Sequence, residues 1–139
     1  MSKNKSAGNL KPDYSKILML AALAFIMLSS YFVARKRMQL REASSLPFHN
    51  VQLEELADGS YKGKAYTSFL HLQLEVIIEN HKIKEINVIE NDGIDGEKAR
   101  PIIQKMIEQN SIVVPAIKGA ELGSLVYISC VSTALTSEQ

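Results

Sequence analysis

Residues 17–34 read ILMLAALAFIMLSSYFVA, 18 positions without a charge. As a helix rising about 1.5 Å per residue, the run covers roughly 27 Å, close to the hydrocarbon thickness of a bilayer. Ser29 and Ser30 can return their hydroxyls to carbonyls one turn back, and Tyr31 stands where an interfacial aromatic belongs, so neither opposes insertion. A cleavable signal peptide competes with this reading, because Lys11 and Lys16 would make a basic n-region. The run exits, however, into Arg35, Lys36 and Arg37 without a small-x-small cleavage site, which favours a retained anchor. A buried core helix fits less well, since the flanks are cationic and the rest of the chain has its own apolar pattern. Loop charge does not decide orientation, because Lys3, Lys5, Lys11 and Lys16 on one side face Arg35, Lys36, Arg37 and Arg41 on the other.

A chain of 139 residues leaves room for one modest domain behind that span. The formal charge of +1 hides a split: residues 1–47 carry eight basic and two acidic side chains, residues 48–139 eight basic and thirteen acidic. This basic head and acidic body give no overall positive field to recommend nucleic acid as a partner. The single cysteine, Cys130, excludes an intramolecular disulfide. His49, His71 and His81 have no metal-ligand spacing, so no metal site is expected.

The expected organisation is a polar basic tail at 1–16, a transmembrane helix at 17–34, a basic stalk or linker at 35–50 and a domain at 51–139. The helix should continue to Leu46 until Pro47 stops it. Asp58-Gly59 marks a turn, and residues 60–68 suit an edge strand. Leu70, Leu72, Leu74, Val76 and Ile78 alternate with His71, Gln73, Glu75 and Glu79, the pattern of a half-buried strand. Asn80 and His81 interrupt it before residues 82–90 resume β character, which predicts a hairpin. After the NDGIDG cluster at 91–96, Ile102, Ile103, Met106 and Ile107 predict one helix over 97–109, with Pro101 in its first turn. Asn110 ends it, Ile112, Val113 and Val114 make a short strand, residues 116–124 form a loop, and residues 125–135 form a buried helix. The expected fold class is α+β, with a small, mainly antiparallel sheet and helices behind one N-terminal transmembrane helix.

The order of DGSYKGKA at 58–65, ENHKIKEINVIE at 79–90, a turn plus helix, and VVPAIKGAELGS at 113–124 resembles the FMN-binding domain family, known from the flavin-carrying subunits of sodium-pumping and Rnf-type respiratory complexes. The resemblance covers about residues 56–136. It implies that the last motif cradles a flavin phosphate. In the family, that motif reads Ser-Gly-Ala-Thr, and the threonine carries FMN as a phosphoester attached by a flavin transferase. Here the four positions are Lys118, Gly119, Ala120 and Glu121. A carboxylate cannot form the linkage and repels a phosphate. The hydroxyl of Ser124 lies three residues on, a shift of about 5 Å along a helix.

The remaining phosphate-site features are Gly119, the Lys118 cation, and the amides of Leu122, Gly123 and Ser124 at a helix opening. Against them stands the reading that Glu121 simply complements the positive end of that helix. Tyr61 and Tyr66 are candidates to stack on a flavin, Tyr66 being the one assigned to the site, although aromatics on a small sheet commonly serve packing. No catalytic constellation is legible, so the chain reads as an electron-transfer or binding protein rather than a self-sufficient enzyme. The expectation is a single-pass cell-membrane protein, its domain extracytoplasmic, holding FMN without a covalent bond and exchanging electrons with membrane redox proteins, with the lipid bilayer as a further partner. The alternative is a flavin-free relative that serves as a membrane-tethered interaction or structural module.

Overall fold

The computed structural model describes residues 13–137; residues 1–12, which include most of the expected basic tail, and residues 138–139 lie outside the described residues. The chain divides into two compact units, one ending at Lys36 and one beginning at Arg37.

Helix α1, Tyr14–Ser44, carries the apolar run. It is long and apolar enough to cross a membrane, with a mean hydropathy of 2.3 over its most apolar 18-residue window and none of that window buried. Length and composition of this kind, near an N-terminus, suit a membrane span or a signal sequence. The Ser29 and Ser30 hydroxyls donate to the carbonyls of Ile26 and Met27, both at 2.9 Å, so each is satisfied within the helix.

The second unit is an α+β fold. Three strands, β1 (Gly59–Tyr66), β2 (Leu70–Glu79) and β3 (Lys82–Gly93), form an antiparallel sheet in the order β1-β2-β3. The alternation expected in β2 holds, with Leu70, Leu72, Leu74, Val76 and Ile78 all buried. Asn80 and His81 both take positive φ (53° and 60°), the two-residue turn whose twist matches that of a hairpin. The apolar positions of β3 do not alternate, for a reason visible in the register. Gln73 pairs with Glu90 but Leu74 with Val88, and Ile77 pairs with Glu85 but Ile78 with Ile83. Ile89 and Lys84 are therefore extra residues at two bulges, which bring Ile83, Ile86 and Val88 onto one face and leave Ile89 exposed.

The single helix expected over 97–109 is instead two: α2 (Gly96–Ala99) and α3 (Ile102–Gln109). Pro101, which cannot donate to a preceding turn, caps α3 rather than sitting inside a continuous helix. Asn110 closes α3 in the left-handed conformation (φ 46°), and its Oδ1 accepts from the Ile83 N–H at 2.9 Å. The strand expected at 112–114 is also corrected. Ile112 and Val114 are buried, but the Ser111 hydroxyl accepts the Val113 N–H (3.1 Å) and donates to its carbonyl (3.2 Å), engaging groups that a ladder would use. The last helix, α4 (Glu121–Thr136), begins four residues before the expected 125, so residues 121–124 are helical rather than loop.

Helix α4 lies across β1 and β2, and α3 lies against β3. They cover the sheet face that presents Leu70, Leu72, Leu74, Val76 and Ile78, and the core forms between these layers. Residues 37–50, expected as a stalk, belong to this unit. Glu42 accepts from the Ser68 N–H at 2.6 Å, Ser129 donates to the Pro47 carbonyl at 2.7 Å, and the Ser132 hydroxyl both accepts from His49 N–H (2.7 Å) and donates to its carbonyl (3.0 Å).

Candidate functional site

The seven consecutive site candidates meet at the start of α4. Ile117 and Ala120 close a turn through a backbone hydrogen bond of 3.0 Å, with Lys118 and Gly119 exposed at its tip. Gly119 takes φ +82°, a conformation that costs an L residue strain, and nothing lies within 4 Å of where a Cβ would stand. The helix then starts at Glu121 and brings an acidic side chain to its positive end.

Within this bend, hydrogen-bonding capacity is used internally. The Glu121 carboxylate accepts from the Gly119 N–H at 2.9 Å. That amide, then Glu121's own amide, hold the carboxyl below its usual value, and Lys118 adds to the effect. Ser124 is fully buried; its hydroxyl accepts from the Ile117 N–H at 2.9 Å and gives its only proton to the Ala120 carbonyl at 2.8 Å. Ala120 is buried and Leu122 half-buried. Gly123 faces α2 so closely that a Cβ would come 2.7 Å from the Asp95 carbonyl oxygen and 2.8 Å from Ala99 Cβ. Its glycine serves helix packing rather than approach to a ligand.

This arrangement does not fit a flavin phosphate. An anion on the Gly119 amide would have to displace a carboxylate already there, and the Ser124 proton is committed elsewhere. Tyr66 does not join the group. In β1 the residues facing α4 are Tyr61, Gly63 and Ala65, so Tyr66 alternates onto the opposite face of the sheet. There it is half-exposed and meets His71, its cross-strand partner, edge to face at 5.3 Å. Tyr61 is buried and donates to the Ala57 carbonyl at 2.7 Å.

Cavities occur elsewhere in the unit. One beside His49, Gln52 and Thr136 measures 260 Å³, one between Ile86 and Ile103 210 Å³, one beside Leu53 and Ile112 130 Å³, and one between Phe48 and Ile128 220 Å³. None of these four is lined by Tyr66 or by residues 118–124, and each is below the roughly 300 Å³ at which small-molecule pockets begin. Among the described residues, no three His, Cys, Asp or Glu side chains gather as a metal site.

Two buried polar residues, Tyr127 and Asn91, are not singled out by any sequence motif. Tyr127 is fully buried in α4 with a hydroxyl that has no partner, and the Asn91 Oδ1 is buried and unpartnered too. Burial pushes the Tyr127 phenol up to about 12. A tyrosine inside an apolar helix was the available signal, since a buried phenol asks for a partner. Cys130 is buried one turn from it; burial likewise raises its thiol to about 12, leaving little nucleophilic thiolate near neutral pH. No protein-family model matches the chain, and no curated protein matches it.

Proposed function

We propose that this chain is a membrane-tethered interaction or structural module on an FMN-binding-type fold, with the place of the flavin phosphate taken by its own side chain. The observation that carries the reading is the Glu121 carboxylate on the Gly119 amide. The doubly engaged Ser124 hydroxyl supports it. Tethering rests on α1, the one described helix with the length and composition of a span. The extracytoplasmic side follows from the resemblance of residues 56–136 to the flavin-domain family.

A second reading keeps the electron-transfer role, with FMN bound without a covalent link and membrane redox proteins as partners. It draws on the open space beside Gly119 and on the exposed Lys118 cation next to it. FMN would supply the redox chemistry itself, and the chain would bind it.

An absorbance spectrum of protein purified from its native membrane, taken before and after denaturation, separates the two. A colourless preparation that leaves added FMN free supports the module. Yellow colour released on denaturation supports non-covalent FMN. Colour that stays with the denatured chain overturns the role assigned to Glu121.

A further inference from the structure

Of the seven large apolar residues exposed in the second unit, three fall between positions 38 and 48: Met38 (72%), Leu40 (53%) and Phe48 (51%). Beside them opens the 220 Å³ cavity, lined by Ala43, Ser44, Leu46, Phe48, Leu125, Ile128 and Ser129, without a charged group. Arg37 and Arg41 are exposed on the last turns of α1 in the same stretch. Glu42, the acid among them, is occupied by the backbone and hydroxyl of Ser68. Apolar and aromatic side chains mixed with arginines, around a cavity of uncharged lining, match the chemistry of a lipid interface.

We propose that this face, built from Met38, Leu40, Phe48 and the cavity against α4, is a docking surface for anionic phospholipid. The inference rests on the reading of α1 as a retained span. Two arguments select lipid over a soluble partner. The first is chain length: Arg37 follows Ala34, the last residue of the apolar run, by three residues, about 4.5 Å of helix, which falls within the headgroup layer. The second is charge. Arg37 and Arg41 complement an anionic surface, while residues 48–139, with thirteen acidic and eight basic groups, are repelled by it. The arginine-bearing face is thus the one such a surface would select.

The chain contains no tryptophan, so a single indole reports its own surroundings. Full-length Phe25→Trp, Phe48→Trp and Ile89→Trp variants are reconstituted into phosphatidylcholine bilayers brominated near the head of the acyl chain, with and without phosphatidylglycerol. Phe25 lies in the apolar run, and Ile89 is exposed at the β3 bulge. The expected result is strong bromine quenching at position 25 in both lipids. Position 48 should show a blue shift and quenching that deepen with phosphatidylglycerol, and position 89 neither. Arg37→Glu combined with Arg41→Glu should abolish the phosphatidylglycerol dependence at position 48. Quenching at 25 with position 48 behaving like 89 overturns the docking surface and leaves the span standing. A blue shift at 48 without bromine quenching assigns the face to protein and also overturns it. Absence of quenching at position 25 removes the span, and the docking surface with it.

Discussion

Helices α1 and α4 are both apolar and both contain serines, yet those serines behave differently. In α1 only Ala43 is buried, and Ser29 and Ser30 bond to their own helix. In α4 ten of sixteen residues are buried, which is why the helix is apolar on all sides rather than along one stripe. Its serines reach outward: Ser124 to Ile117, Ser129 to Pro47 and Ser132 to His49. A hydroxyl that serves its own turn needs nothing from its surroundings and is tolerated in hydrocarbon. One that crosses to another segment joins a protein core together. Hydropathy alone does not make this distinction; the destination of each hydroxyl does.

The contrast is tested most severely by truncating leucines. Leu135→Ala, at a fully buried position of α4, should cost the second unit about 2–5 kcal/mol, whereas Leu23→Ala in α1 should leave its urea midpoint unchanged. Serines come next. Ser132→Ala removes the partner of a part-buried amide and should cost about 1–3 kcal/mol, against less than about 0.5 kcal/mol for Ser29→Ala, read in the same unfolding experiment.

A third test uses alkali. Tyr127 and Cys130 are both pushed up to about 12, so the folded state keeps protons that the unfolded chain releases near 10 and 9. Their contribution to stability is complete below the unfolded values and is lost as pH rises through the folded ones. Urea midpoints should therefore fall between about pH 9 and 12. Tyr127→Phe should flatten the upper part of that fall, and near pH 7 it should be neutral or stabilising, because it removes an unpartnered hydroxyl.

The smallest stability change is expected at Glu121→Thr. Its carboxyl is held below the ordinary value of 4.5, so it stabilises the fold above that value and ceases to do so as pH falls through the folded one. The substitution should remove this acid dependence and slightly lower the midpoint near neutrality. Coexpression with a flavin transferase should add one flavin to the mass of the variant and none to the parent. An unchanged mass would count against the alignment of residues 118–121 with the attachment motif.

Patterns carried within a single element were legible from the sequence: the apolar run, the alternation of β2 and the Asn80-His81 hairpin each repeat a local rule. Features settled between elements were not. The bulges at Lys84 and Ile89 are defined only by the register with β2, so the sequence of β3 reads as irregular rather than bulged. Pro101 marks a helix start, but the separate turn of α2 before it leaves no such mark. For the candidate site, contiguity in sequence placed residues 118–124 together. The capture of Gly119 by Glu121 and the separation of Tyr66 onto the other sheet face depend on geometry that no spacing records.

The ties from Glu42, Pro47 and His49 to the sheet turn and to α4 also bear on how a water-soluble fragment should be cut. A boundary at residue 51, where the recognisable domain begins, would delete all three tethers, strip the cover from Ser129 and Ser132 and leave buried hydroxyls seeking solvent. A fragment starting at Arg37 keeps them. The neck is thus architecture rather than spacer, and a protease given the intact protein should find no easy site between residues 42 and 49.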